Sequence, residues 1–295
     1  MEGIRNMKEY SQKMREEMQR RFEDLEISEI EVVKMNDQKL HGIMFKKKGV
    51  DTAPTFYIED LIESESSFEE AADELARRYE LTKDMEAPIN SGEAVSRWED
   101  VSDRIAFRLV GISRNVEYLK DIPHKIVADD LVLTCDIVIN QEARAKVNRD
   151  MLKAWNITEE ELFSAASKNA GKVCRPFLTE MSNMLFGPGG RNYLEEDTKP
   201  EGELYVLTDT NTAFGAACLF YDGIKEKICK NFGELYLLPS SVHEFILIPD
   251  SFAPSERELC EMVKSANEQV VSPCEILSDY VYHIDSNGMI SRIRA

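Results

Sequence analysis

The sequence predicts an α+β protein with largely antiparallel sheets, packed helices and an amphipathic helix at the N-terminus. Near the N-terminus, apolar residues recur at steps of three and four with charged residues between them, which is the period of a helix. In the last third of the chain, strand-like runs come in pairs that alternate with single helical segments. Asn287-Gly288 joins the last pair and is the dipeptide most typical of a tight hairpin turn.

The first helix carries a methionine-rich apolar stripe. The stripe consists of Ile4, Met7, Met14, Met18, Phe22 and Leu25. Methionine can form an adaptable binding face, but packing against its own domain is the more common outcome, and we favour a core role. The next predicted elements are strands at 30–33, 40–45 and 55–58, followed by a helix over 59–79 whose outer face is strongly acidic.

The middle of the chain mixes weak signals with one strong signal. Thr158 and Glu161 have the spacing of a capping box, so a helix should begin there and end near Gly171. The weaker predictions are an irregular connection at 80–96, a helix over 98–110, one long strand over 125–140 and a short helix over 176–186. The long strand should be half solvated, with Asp130, Thr134 and Asp136 on its outer face.

The C-terminal part has a regular succession of elements. The predicted order is strands at 204–208 and 216–221, a helix at 222–232, strands at 235–238 and 245–248, a helix capped by Ser255 and Glu258, and a hairpin of 281–285 and 289–293. Glycine, proline and charge are concentrated at 187–203. We therefore predict an N-terminal α+β region over 1–186, a linker or long loop over 187–203 and a C-terminal α+β region over 204–295, with one continuous domain as the alternative.

Composition restricts the class of protein. The chain has 295 residues and a formal net charge of −19, which argues against a general nucleic-acid binder because phosphate binding needs clustered Lys and Arg. The six cysteines are scattered without a C-x-x-C spacing, so no structural metal is predicted, nor any cofactor. The first 25 residues lack an apolar signal-peptide core, and no apolar run approaches the roughly 20 residues of a membrane span. These features predict a cytoplasmic protein.

The densest cluster of reactive side chains is the turn Pro239-Ser240-Ser241-Val242-His243-Glu244. Ser240 or Ser241 with His243, Glu244 and a distant carboxylate such as Asp209 are the candidate catalytic residues. In an extended strand the Cα atoms of Ser241 and His243, two positions apart, lie roughly 6.6 Å from each other. A base must lie within about 3 Å of its nucleophile, so proximity in the sequence alone gives the wrong geometry. A purely structural turn, with its hydroxyls bonded to the backbone, is the favoured interpretation.

A second polar turn lies between two predicted strands of the same region. It holds Thr208, Asp209 and Asn211, which we predict as ligand-binding residues if the turn lines a pocket shared with the Ser-Ser-Val-His-Glu segment. A plain β-turn explains it equally well. No histidine pair has metal-binding spacing, so no metal site is predicted.

Several passages in fixed order resemble an uncharacterised family of proteins from gut Firmicutes, known only as a domain of unknown function. The passages are 54–59, 107–110 with Asn115 and Leu119, 155–158, 205–208 with 215–217, and 238–244. The resemblance runs from about residue 30 to residue 285, and a looser one to another uncharacterised Gram-positive family covers 155–171. It implies a bacterial cytosolic protein that forms one continuous unit.

The predicted function is binding, to a protein partner or a small molecule. The acidic surface, the methionine stripe and the lack of a convincing catalytic constellation support this prediction. One alternative is a hydrolase or transferase that uses Ser240 or Ser241 with His243. Another alternative is an acidic inhibitor from a phage or mobile element, which would bind a basic protein. No nucleic acid or membrane partner is expected.

Overall fold

The computed structural model describes residues 7–49, 53–64, 67–83, 95, 97–140, 144–186, 191–195 and 201–293. The chain divides into two compact units, Met1–Arg97 and Trp98–Ala295. The fold is α+β as predicted, and all the strand pairings that the structure describes are antiparallel.

The first unit combines helices with a three-stranded sheet in the order β1-β2-β3. Its elements are α1 (Met7–Arg21), β1 (Leu25–Val33), β2 (Lys39–Lys47), β3 (Thr55–Tyr57), α2 (Glu59–Glu63) and α3 (Phe68–Lys83). Met14 and Met18 of α1 are fully buried in the core of this unit, which confirms the core role of that part of the methionine stripe. Ile4 lies outside the described residues.

The second unit holds two sheets. The smaller has the order β4-β6-β5, with β7 also paired to β6, and the larger has the order β13-β12-β10-β11-β9-β8. The strands are β4 (Ile105–Gly111), β5 (Lys125–Ala128), β6 (Leu131–Val138), β7 (Arg144–Lys146), β8 (Pro176–Glu180), β9 (Tyr205–Asp209), β10 (Leu235–Ser241), β11 (Glu244–Pro249), β12 (Tyr282–Ile284) and β13 (Ile290–Arg292). The helices are α4 (Trp98–Val101), α5 (Arg149–Trp155), α6 (Glu159–Asn169), α7 (Met181–Phe186), α8 (Ile224–Phe232) and α9 (Glu256–Gln269).

The predicted helix caps are confirmed. Thr158 caps α6 and Ser255 caps α9. Each hydroxyl accepts the backbone N–H of a glutamate three residues later, and the carboxylate of that glutamate accepts the backbone N–H of the cap residue. Such boxes satisfy two backbone donors that a helix leaves unpaired at its N-terminus. The C-terminal hairpin is also confirmed, with Gly288 in the left-handed conformation that its turn requires.

Two predictions for the middle of the chain were wrong. The predicted helix over 98–110 is only one turn long, and β4 follows it. Six of the seven β4 residues are buried, and a strand that is buried on both faces lacks the alternation that would have identified it in the sequence. The predicted single strand over 125–140 is a hairpin of β5 and β6. Its outer face is not half solvated, since Thr134 and Asp136 are both fully buried.

Two elements beside the candidate site also differ from prediction. Residues 176–180 form β8 before the short helix α7 begins. Gly215–Phe220 is a 3₁₀ helix rather than a strand, and it packs directly against the end of β9. A Cβ atom on Gly215 would lie 2.1 Å from the Asp209 backbone nitrogen, so only glycine allows this approach.

The segment 187–203 lies between α7 and β9, and the strands on either side, β8 and β9, are neighbours in one sheet of the second unit. Within this segment only residues 191–195 and 201–203 are described. Most of the predicted connection at 80–96 also lies outside the described residues, and its first residues continue α3 to Lys83.

Candidate functional site

The Ser-Ser-Val-His-Glu segment is the end of the hairpin formed by β10 and β11. Ser241 pairs with Glu244, so Val242 and His243 form the tip of the turn. Val242 is buried, and its backbone N–H donates to the Glu275 carbonyl. The turn is therefore anchored to the segment that follows α9.

Each hydroxyl and each imidazole nitrogen of this turn has a partner of its own. Ser240 donates to the Glu244 carboxylate at 3.1 Å, and Ser241 Oγ accepts the His243 backbone N–H at 3.1 Å. His243 Nδ1 accepts the backbone N–H of Phe214 at 3.0 Å, and Nε2 lies 3.4 Å from the Glu275 carboxylate. Because the imidazole is engaged at both nitrogens, neither serine is paired with it as an activated nucleophile would be.

The predicted ligand-binding residues Thr208, Asp209 and Asn211 lie next to this turn, and each makes its own hydrogen bonds. Thr208 is fully buried and donates its hydroxyl to the His243 carbonyl at 2.9 Å. Asn211 is exposed, and its backbone N–H donates to Asp209 Oδ1 at 3.1 Å. Asp209 Oδ1 also accepts the Ala213 N–H at 2.8 Å, so this carboxylate holds the loop that leads to Phe214.

Asp209 shares its buried environment with Arg144 of β7. The Asp209 carboxylate is fully buried, and its Oδ2 lies 3.7 Å from Arg144 Nη2, which is too long for a hydrogen bond. Arg144 Nη2 instead donates to Cys174 Sγ at 3.2 Å and to the Ala213 carbonyl at 3.0 Å. Burial raises the pKa of the Asp209 carboxyl, and the Ala213 N–H and the Arg144 charge only partly offset that effect.

A second buried ion pair lies on the neighbouring strands β4 and β6. Arg108 contacts Asp136 Oδ2 through both Nε and Nη2, each at 2.5 Å. The Asp136 side chain is fully buried, and 12% of the Arg108 side chain is exposed. Burial, followed by the Asp136 charge, raises the pKa of the nearby Tyr118 hydroxyl to about 12.

Phe214 connects the two ion pairs. Its ring centroid lies 3.9 Å from the Arg108 guanidinium carbon and 4.9 Å from that of Arg144, within the range of cation–π contact. Its backbone has a φ of 61°, a left-handed conformation that is costly for an aromatic residue. We name Arg108, Asp136, Arg144, Asp209 and Phe214 the buried charged cluster.

Three polar atoms of the buried charged cluster are shielded from solvent and have no hydrogen-bond partner of ordinary geometry in the part of the chain that the structure describes. They are Asp136 Oδ1, Arg144 Nη1 and Asp209 Oδ2. Buried polar atoms in folded proteins are nearly always paired, and an unpaired one costs about 1–3 kcal/mol. These three atoms are therefore available to pair with an ordered water or a small polar molecule.

Two thiols border the buried charged cluster. Burial raises the pKa of Cys174 and of Cys218, and it raises the pKa of the Tyr221 hydroxyl as well. A buried thiol with a raised pKa stays protonated and is a poor nucleophile. Cys174 therefore serves as a hydrogen-bond partner of Arg144 rather than as a reactive group.

A group of potential metal ligands lies at the other end of β10 and β11 from the Ser-Ser-Val-His-Glu turn. Glu234, Asp250 and His283 place one ligand atom each within 4.8 Å of one another. Both carboxylates are exposed, and His283 Nε2 lies 3.1 Å from Asp250 Oδ1, so a histidine–carboxylate pair accounts for the geometry. We assign no metal to this group.

Comparison with known proteins gives one match. A family model described as a family of unknown function (DUF5688) matches residues 7–286. The chain belongs to this family. The predicted resemblance to an uncharacterised family is therefore confirmed, while the bacterial origin that it implied stays a prediction. No curated protein and no solved structure matches the chain. Among the described residues, no helix combines the length and apolar character needed to cross a membrane.

Sequence reasoning identified one member of the buried charged cluster, Asp209, and missed the others. Arg108 and Asp136 each interrupt an apolar run, in Ile-Ala-Phe-Arg-Leu-Val and Leu-Thr-Cys-Asp-Ile-Val. A charge within such a run is a usable signal, because it is seldom buried without a partner. Arg144 lies in a segment of mixed polarity and Phe214 lies among small residues, so neither gives a comparable signal.

Proposed function

We propose that this protein binds a small polar molecule through the buried charged cluster of its second unit. The observation that carries the proposal is the set of three buried polar atoms without a partner among the described residues, in a cluster whose two arginines contact the Phe214 ring. A ligand that pairs them would remove a cost that the free protein bears. Binding also fits the turn chemistry, because both serines and His243 hold structure rather than forming a nucleophile–base pair.

The unpaired atoms indicate the chemistry of the ligand. Arg144 Nη1 is a donor and needs an acceptor, whereas Asp209 Oδ2 is an acceptor when ionised and needs a donor. Since Arg144 Nη2 lies only 3.7 Å from Asp209 Oδ2, one small group can reach both residues. The expected ligand therefore presents a donor beside an acceptor, as amides, hydroxy acids and amino acids do.

Phe214 is the side chain that must move to admit such a ligand. Its ring covers both guanidinium groups, and its strained backbone makes the closed position less stable than an ordinary loop. The loop is held by the bonds of its backbone to Asp209 Oδ1, His243 Nδ1 and Arg144 Nη2. In this proposal His243 is a positioning residue for the Phe214 loop.

The first test compares the native mass of the purified protein with its denatured mass. We expect extra mass under native conditions, or a rise in melting temperature with amides, hydroxy acids or amino acids at about 10 mM. The response should be lost in Arg144→Met and retained in Arg175→Met, which removes an exposed arginine paired with Glu195. A bare native mass together with no thermal response to any of these compounds would contradict the proposal.

We also infer that the protein works in a bacterial cytoplasm. The family resemblance supports this inference, and so do the six cysteines, all of which are free. Fractionation of the native host, with the protein found in the membrane or the medium, would contradict it.

A further inference from the structure

A cleft on the second unit, away from the buried charged cluster, concentrates positive charge on this acidic chain. The cleft has a volume of about 600 Å³, within the range of small-molecule sites. Three cationic side chains line it, Arg114, Lys264 and Arg292, together with two carboxylates, Glu268 and Asp279, and apolar surface from Tyr280 and Ile293. Because the whole chain carries a net charge of −19, three convergent cations are an exception to the general surface.

The three cations differ in how far they are already neutralised. Arg114 makes a two-atom contact with Asp279, at 2.6 and 2.7 Å. Lys264 lies 3.9 Å from Glu268, a loose pair one turn along α9. The Arg292 backbone N–H donates to the Asp129 carboxylate at 3.1 Å, but the guanidinium has no carboxylate within 4 Å among the described residues and is the available charge of the cleft.

Arg292 is also held in place. Its guanidinium carbon lies 4.3 Å from the centroid of the Tyr280 ring. Stacking on an aromatic face fixes the orientation of the planar fork without using its N–H donors. A fork that is positioned and unpaired is the arrangement that binds phosphate or carboxylate through two parallel hydrogen bonds.

We propose that this cleft binds a small organic anion, with a phosphate or carboxylate head on Arg292 and a flat apolar group against Tyr280 and Ile293. Lys264 lies at the same cleft and adds a second positive charge near the head group. The shared chemistry is a planar or tetrahedral oxyanion attached to an apolar body, and the two head groups are distinguished by the probes below.

The experiment uses phenyl phosphate, benzoate and the neutral benzamide as probes of the full-length protein. Binding is measured by isothermal titration or by ligand-observed NMR. We expect phenyl phosphate, benzoate or both to bind with millimolar or better affinity, and benzamide to bind at least tenfold more weakly. A stronger response to phenyl phosphate assigns a phosphate head, and a stronger response to benzoate assigns a carboxylate head.

Variants separate this site from general surface charge. Arg292→Met should weaken binding of the charged probe at least tenfold, whereas Arg257→Met should not, because Arg257 is an exposed arginine of the same helix as Lys264 but does not line the cleft. Arg292→Lys keeps the charge but loses the stacked guanidinium, so it should weaken binding of the charged probe to an intermediate extent. This variant replaces Arg292→Met in the comparison if Arg292→Met does not fold. The proposal is overturned if no charged probe binds at about 10 mM, or if Arg257→Met weakens binding as much as Arg292→Met.

Discussion

The buried ion pair of Arg108 and Asp136 allows a quantitative test of the second unit. Replacing Arg108 by methionine removes both contacts to Asp136 Oδ2 and leaves a carboxylate that is fully buried. The other oxygen of that carboxylate has no hydrogen-bond partner among the described residues, so it does not offset the loss. The variant must either bury an uncompensated charge or protonate Asp136.

The expected cost follows from this burial. Breaking a buried pair by removing one partner costs about 3–5 kcal/mol, far more than the 0–1 kcal/mol of an exposed pair. For a unit of this size, each kcal/mol lowers the melting temperature by about 2–4 °C, so Arg108→Met should melt about 6–20 °C lower. The double variant Arg108→Met with Asp136→Leu should be more stable than Arg108→Met alone, because it removes the stranded charge.

The assay is urea unfolding followed by tryptophan fluorescence. The chain has two tryptophans, Trp98 and Trp155, whose rings pack 5.6 Å apart in the second unit, so the signal reports on that unit. Arg175→Met is the matched control, since it breaks an exposed pair with Glu195 and should cost no more than about 1 kcal/mol. The reasoning is refuted if Arg108→Met costs no more than this control, or if the double variant loses as much as the two single variants added together.

Three further predictions concern the residues around the site. Gly215→Ala places a methyl group 2.1 Å from the Asp209 backbone nitrogen and should lower the melting temperature by at least 5 °C, whereas an unchanged melting temperature would show that the 3₁₀ helix can shift freely. Burial raises the pKa of Asp209 above its ordinary value of 3.8, so the folded state holds this proton longer than the unfolded chain does, and the contribution of this group to stability falls as the pH rises above about 3.8. The free energy of unfolding of Asp209→Asn, minus that of the wild type, should therefore increase as the pH is raised from that value, and a flat difference would contradict the assignment. Tyr282→Phe removes the buried hydroxyl that bonds to Asp130 and to Ser278, and urea unfolding should show a loss of about 1.5–3 kcal/mol rather than a change within error.

The parts of the fold that were predictable have local causes. The capping boxes at Thr158 and Ser255 depend on residues three positions apart, and the last hairpin depends on the dipeptide Asn287-Gly288. Strands β10 and β11 were also predictable, since each is a short apolar run next to a turn. In each case the determining residues are neighbours in the sequence, so one window contains the whole signal.

The parts that were missed depend on partners that are distant in the sequence. The β4 strand was predicted as part of a helix. The strand that pairs with it, β6, begins 26 positions after β4 does, so no local window contains both strands. Asp136 reads as a solvated residue because the arginine that neutralises it lies 28 positions earlier. The Ser-Ser-Val-His-Glu turn has the opposite problem, since its reactive side chains are adjacent in sequence but each is engaged elsewhere.

Stability alone does not explain why the second unit contains the buried charged cluster. Well-packed apolar side chains in place of a buried ion pair are usually neutral or stabilising, so the two pairs offer the fold no advantage that leucine or methionine would lack. Among the described residues, three buried polar atoms of these pairs also lack a hydrogen-bond partner, which adds to their cost. What charged residues provide and apolar residues cannot is directed hydrogen bonding to a polar ligand in a dry environment, where such bonds are strongest. The strained Phe214 ring over both arginines fits the same interpretation, because a side chain that closes a binding site must be able to leave it.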